Sequence, residues 1–132
     1  MVCIYCRGET KTVNSRPSDS AKIVWRRRKC IECQSIFTTY EEPDYSGSFR
    51  VKSKNVLSPL SRDKLFISIY SCLSHRKTPQ KDASGLTATV LTNILPLAQH
   101  GIVTTSAIKG EVLNTLKNFD QVSAVYYKAH YY

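Results

Sequence analysis

Four cysteines constrain this chain more than any other feature. Cys3 and Cys6 form one Cys-x2-Cys pair, and Cys30 and Cys33 form a second after a spacer of 23 residues. Two residues between cysteines let one tight turn aim both thiols at a point, so each pair is half of the four-thiolate tetrahedron that zinc accepts. A module of about 45 residues buries too little apolar surface to fold alone, and a structural metal contributes on the order of 10 kcal/mol. The spacing alone leaves two disulfides or four buried thiols as alternatives. Residues 1 to 10 hold no apolar signal segment, which points to a reducing cytoplasm, where paired disulfides are uncommon. One structural Zn2+ is therefore expected on Cys3, Cys6, Cys30 and Cys33. Cys72 lies in an apolar periodic segment and is expected as a small core residue.

The second cysteine pair is preceded by Trp25-Arg26-Arg27-Arg28-Lys29 and followed by Ile36-Phe37-Thr38-Thr39-Tyr40, a β-branched and aromatic run. Residues 11 to 14 and 21 to 28 read as strands, joined by the turn formers Ser15-Arg16-Pro17-Ser18-Asp19-Ser20. Gly8 is available for the turn after Cys6. Alternation along the second strand sends Trp25 and Arg27 one way and Arg26 and Arg28 the other. With Arg16 nearby, this makes a compact cationic surface carrying an aromatic ring. Adjacent cations repel unless an anion approaches, which favours nucleic acid over a merely solvated strand.

The composition changes at Glu41-Glu42-Pro43-Asp44-Tyr45-Ser46-Gly47, which reads as a linker between two small domains, residues 1 to 45 and 46 to 132. Lys and Arg exceed Asp and Glu by 19 to 10, a net charge of +9. It divides as +2 before residue 46 (8 minus 6) and +7 after it (11 minus 4). Polyanions are the expected partners, and no stretch is apolar enough to span a membrane.

Residues 49 to 58 read as a hairpin turning near Lys54-Asn55. Ser61 is placed to cap a helix over residues 62 to 74, with Leu65, Phe66, Ile69, Tyr70 and Leu73 on one face. The loop 76 to 81 ends it. A second helix is expected over residues 83 to 99, interrupted or ended by Pro96, and a third from Thr105 or Ser106 to Asn118. Asp120 is expected to cap a last helical segment holding Val122, Val125, Tyr126 and Ala129. The fold class is α+β: a small antiparallel metal ribbon, then a mostly helical domain with an N-terminal β-hairpin. Lys52, Lys54 and Lys64 are expected to cluster where the hairpin meets the first helix, a possible phosphate site. No Walker-type glycine loop is present, and His75, His100 and His130 fall in no acid–base constellation, so no catalytic residue is expected.

Taken together, Cys3-x-x-Cys6, Asn14-Ser15-Arg16-Pro17, Arg26-Arg27-Arg28-Lys29-Cys30-x-x-Cys33 and Phe37-Thr38-Thr39-Tyr40-Glu41 resemble the NrdR repressors, bacterial transcription factors that control ribonucleotide reductase genes. Further on, Val51-Lys52 through Pro59 to Arg62-Asp63-Lys64-Leu65 resembles the opening of an ATP-cone domain. Leu116-Lys117-x-x-Asp120-x-Val122 through Ala129-x-Tyr131 resembles its close. The resemblance spans nearly the whole chain.

It implies a zinc ribbon that binds operator boxes in double-stranded DNA, and an ATP cone whose occupancy by ATP or dATP changes the state of a homo-oligomer in the bacterial cytoplasm, at the nucleoid. By position, the operator contacts would be Arg16, Arg26, Arg27 and Arg28, with Lys29 in support. The nucleotide set would be Val51, Lys52, Lys54, Lys64 and Thr105. The chain departs from the family pattern at Asn14, Gln34, Ser58 and Lys109, and at Ser53-Lys54-Asn55, where the cone often continues Arg-Asp-Gly after the lysine. Relatives usually continue beyond the position of Tyr132. The rival expectation is a zinc-ribbon nucleic-acid binder whose degenerate cone serves only to oligomerise.

Overall fold

The computed structural model describes residues 1–18 and 22–132. The chain forms two compact units, Met1–Pro43 and Asp44–Tyr132.

The first unit is a three-stranded antiparallel sheet in the order β1-β2-β3, with β1 at Thr10–Ser18, β2 at Ile23–Cys30 and β3 at Ile36–Glu41. The first strand runs further than its sequence suggests. Ser15, Arg16, Pro17 and Ser18 were expected in a turn, yet they pair with Arg26, Trp25, Val24 and Ile23. An edge strand explains this, because Pro17 can sit there without removing a ladder hydrogen bond that the sheet needs. Asp19 and Ser20 of the expected turn, and Ala21 of the expected strand, lie outside the described residues. A register shift between Thr12 and Asn14 marks a bulge in β1. Among the described residues the buried cluster of this unit is Cys3, Cys30 and Phe37. The Tyr5 ring stands edge-on to Phe37 at 6.4 Å.

The second unit opens with a single turn, α1 (Tyr45–Ser48), where the linker was expected. Asp44 caps it by accepting a hydrogen bond from the Gly47 N–H at 3.0 Å. The hairpin follows as β4 (Arg50–Ser53) and β5 (Val56–Pro59), with Lys54 in the left-handed region at φ 54°. A short strand that the sequence did not announce, β6 (Ile102–Thr104), lies parallel to β4 and completes the sheet β5-β4-β6.

The helices are α2 (Arg62–Ser71), α3 (Pro79–Ile94), α4 (Thr105–Phe119) and α5 (Gln121–Tyr131). The Ser61 hydroxyl caps α2 by accepting from the Lys64 N–H at 3.2 Å. Helix α2 ends three residues earlier than its apolar pattern suggests, and α3 starts earlier, at Pro79, because proline is preorganised for the first helical position. Pro96 turns the chain into a 3₁₀ turn over Leu95–Leu97.

The core of this unit gathers Leu65, Ile69 and Leu73, then Leu86, Val90, Leu91 and Ile94 from α3, and Val112, Leu113 and Leu116 from α4. Cys72 is buried beside them, as expected for a small core residue. Helix α5 turns a different face inward from the one its valines suggest. Val122, Val125 and Tyr126 are exposed, whereas Ser123, Ala124 and Tyr127 are buried. Two polar anchors set that rotation. Asp120 accepts from the Ser123 hydroxyl at 2.7 Å and pairs with His75 at 2.5 Å, and the Tyr131 and Ser71 hydroxyls meet at 2.9 Å. Asp120 thus stands at the cap position with its carboxylate turned to Ser123 and His75.

Candidate functional site

The four ribbon thiols converge. All four sulfurs lie within 4.8 Å of one another, with Cys3 to Cys33 at 3.7 Å and Cys6 to Cys30 at 3.5 Å. A tetrahedron with metal–sulfur bonds of about 2.3 Å has edges of about 3.8 Å, so the donor set fits zinc. Cys3 and Cys30 are buried, and Cys6 and Cys33 are exposed.

Each knuckle is made the same way. The residue after the second cysteine of each pair is left-handed, Arg7 at φ 65° and Gln34 at φ 62°. The turn expected of Gly8 is therefore taken by Arg7. Gly8 instead allows a close approach, since a Cβ there would stand 2.5 Å from Glu32 Cγ. Backbone N–H groups of Tyr5, Gly8 and Cys33 donate to the sulfurs of Cys3, Cys6 and Cys30, each at 3.4 Å. Such donors favour the thiolate that a metal requires. The Ser35 hydroxyl, helped by the Ser35 backbone N–H, brings the Cys33 thiol down to about 6, whereas Cys6, although the Gly8 N–H lowers it, is pushed up to about 12 by the neighbouring Cys30 and Cys33 sulfurs.

The expected DNA-contacting cations all lie on the ribbon sheet, but in different surroundings. Arg26 donates to the Ser15 hydroxyl at 3.1 Å and to the Glu41 carboxylate at 3.2 Å. Arg28 donates to the Thr39 hydroxyl at 3.2 Å. The Arg16 guanidinium lies 5.8 Å from the centre of the Trp25 ring. Arg27 is exposed and Lys29 is half-buried.

In the second unit, Lys52, Lys54 and Thr105 line a cleft of about 650 Å³ between the hairpin turn and the start of α4. The Thr105 hydroxyl donates to the Lys52 carbonyl at 3.2 Å, tying helix to hairpin. The Thr104 hydroxyl caps α4 by accepting from the Ala107 N–H at 3.2 Å. Val51 and Lys64 line an adjoining pocket of about 210 Å³, together with Ile108 and Tyr127. The lysines expected as one cluster are thus divided, and they meet α4 as well as α2.

Thr105 and Lys109 line both spaces. Lys109 entered the sequence reading only as a departure from a pattern. The signal that finds it is helical spacing, because residue 109 lies one turn after residue 105 on the same face.

Asp120 stands between His75 and the buried Ser123, so the imidazole contacts a carboxylate and not the hydroxyl. His130 Nδ1 lies 2.9 Å from the Tyr126 carbonyl.

Comparison with known proteins agrees with these features. A family model described as "Transcriptional repressor NrdR-like, N-terminal domain" matches residues 1–41. The chain is 33% identical over 133 residues to the transcriptional repressor NrdR of Finegoldia magna, covering 99% of this chain and 87% of that protein. Identity to the transcriptional repressor NrdR of Pelagibacter ubique is 33% over 132 residues, covering 99% and 86%. To that of Alkaliphilus oremlandii it is 30% over 132 residues, covering 99% and 85%. All three relatives are named as transcriptional repressors. With its N-terminal zinc ribbon and a likeness that runs the length of the chain, this protein belongs to the NrdR family of transcriptional repressors.

Proposed function

We propose that this protein is a zinc-dependent repressor whose ribbon holds operator DNA of ribonucleotide reductase genes and whose second unit answers to ATP or dATP. The observation that carries the nucleotide half is the cleft at the start of α4, where Lys52, Lys54 and Lys109 meet the hydroxyls of Thr104, Thr105 and Ser106. A helix N-terminus offers free N–H groups and a positive field, and lysines beside it add point charges suited to phosphates. The adjoining space with Val51, Ile108 and Tyr127 is apolar enough to take a base or sugar face.

Zinc, when bound, would be held by Cys3, Cys6, Cys30 and Cys33 as thiolates, would offset half of their charge, and would fix the two knuckles against each other. The chain's own residues supply the rest. Ribbon cations hold phosphates in a salt-dependent way, and cleft residues bind the effector. A nucleotide alters DNA affinity only if it binds one subunit arrangement more tightly than another. An arrangement that sets two ribbons on adjacent half-sites binds DNA far better than one that misplaces them. The protein works in this way on DNA in the bacterial cytoplasm.

The test is a titration of the zinc-loaded protein with ATP and with dATP, followed by calorimetry and by light scattering on the same samples. Saturable binding with a change in mass is expected. Lys109→Ala is expected to weaken nucleotide binding about tenfold, equivalent to about 1.4 kcal/mol for one charge-assisted phosphate contact. If neither nucleotide binds, the second unit is an oligomerisation domain and the protein a nucleotide-independent zinc-ribbon DNA binder.

A further inference from the structure

The ribbon's cations divide between the two sides of one sheet, and we propose that duplex DNA is met by only one side, that of Lys11, Arg16, Arg27 and Lys29. The inference rests on the reading of the ribbon as the DNA-contacting module. Directly paired residues in a sheet project to the same side, as do residues two apart along a strand. The register therefore sets three cross-strand rows on one face: Lys11, Lys29 and Ile36; Asn14, Arg27 and Thr38; Arg16, Trp25 and Tyr40. Among the described residues of these rows, this face carries four cations and no carboxylate. Lys11 stands directly opposite Lys29, a pairing that destabilises a sheet on its own and is relieved by an approaching anion.

The opposite face is built differently. It carries the rows Ser15, Arg26 and Thr39, and Thr12, Arg28 and Phe37. Both arginines there are engaged within the sheet: Arg26 spans from Ser15 on β1 to Glu41 on β3, and Arg28 reaches Thr39. Phe37 and Cys30 also belong to this face, where they are buried with Cys3. The knuckles therefore cover part of it, and Glu41 adds a negative charge that would repel phosphate.

On the first face, Arg16 and Arg27 present guanidinium groups suited to bidentate phosphate contacts. Trp25 holds Arg16 by its ring, and the exposed Tyr40 extends the same row. Arg26 and Arg28 are positioning residues: they tie the three strands so that the opposite side is presented as one surface. Lys11 joins the contact set although it lies outside the arginine run.

Two double variants of the full zinc-loaded chain test the division, by anisotropy with a mixed-sequence duplex over a range of salt concentrations and by thermal melting of the same samples. Arg16→Ala with Arg27→Ala is expected to flatten the slope of log affinity against log salt by about 2, one for each lost phosphate contact, and to leave the melting temperature in place. Arg16→Lys with Arg27→Lys is expected to restore most of the slope. Arg26→Ala with Arg28→Ala is expected to lower the melting temperature and keep the slope. Glu41→Gln releases Arg26 without removing a cation and is expected to keep the slope too. The inference is overturned if the Arg26 and Arg28 pair flattens the slope as much as the Arg16 and Arg27 pair, or if Glu41→Gln steepens it. An unchanged chain that binds no duplex at low salt overturns the DNA-binding reading itself, and the division with it.

Discussion

The two units solve the same problem by different means. In Met1–Pro43 the buried cluster among the described residues is Cys3, Cys30 and Phe37, two of them candidate metal ligands. In Asp44–Tyr132 the cluster runs to fifteen buried residues drawn from four helices and their flanks. A sheet with so little apolar burial cannot offset the entropy of ordering its strands, so its stability resides in the thiol cluster. The helical unit has an ordinary core and needs no ion. One half of the molecule should therefore be sensitive to metal supply, the other to packing.

Metal removal separates the halves most sharply. Trp25 is the only tryptophan and lies in the ribbon, so its fluorescence reports that unit alone, while far-ultraviolet circular dichroism reports mainly the helices. Excess chelator is expected to unfold the ribbon, a loss on the order of 10 kcal/mol, while the helical signal persists. Simultaneous loss of both signals would break the contrast.

The reverse experiment truncates the helical core. Ile69 is fully buried, and Ile69→Ala is expected to cost about 2–5 kcal/mol, seen as a lower denaturant midpoint for the helical signal with the Trp25 transition unmoved.

A smaller effect is expected at the junction of α4 and α5. Asp120→Ala leaves the Ser123 hydroxyl buried without its acceptor and is expected to cost about 1–3 kcal/mol in the same midpoint. The Ser123 hydroxyl, and after it His75, hold the Asp120 carboxyl below the usual carboxylate range. A depressed folded-state value means that this stability is present above the unfolded-state value and is lost as pH falls through the folded-state one. Asp120→Asn should therefore remove part of the acid sensitivity of the helical unit. Ser61→Ala, which deletes the α2 cap, is expected to cost about 1 kcal/mol.

What could be read from the sequence follows the range of the interactions involved. The knuckles are local, since two residues between cysteines decide their shape, and the structure brings all four thiols together. Strand alternation placed Arg26 and Arg28 on one side and Trp25 and Arg27 on the other, as the register shows. Helical periodicity found α2, α3 and α4 because leucine and isoleucine recur at turn spacing. Helix α5 misled because its most apolar positions are not its packed ones. Polar anchors from residues 75 and 71 set its rotation, and no pattern within the helix encodes a partner so distant. Strand β6 escaped for a similar reason: three residues carry no period, and their partner is β4. Lys109 and the division of the cleft depend on that pairing.

That parallel joint also orders events in time. The Arg50 backbone N–H donates to the Gly101 carbonyl at 2.8 Å and Lys52 pairs with Thr104, so the joint closes across a chain separation that includes β5, α2 and α3. The ribbon hairpins can zip up from neighbours in sequence. The cleft must await loop closure, whose entropic cost delays contacts of high contact order. Its walls belong to the hairpin and to α4, and opening the joint parts them without melting the helical core. The β4–β6 amides are thus set to exchange with solvent hydrogen ahead of those in α3 and α4, and anything that bridges Lys52 and Lys109 acts as a clasp on the last-formed part of the fold.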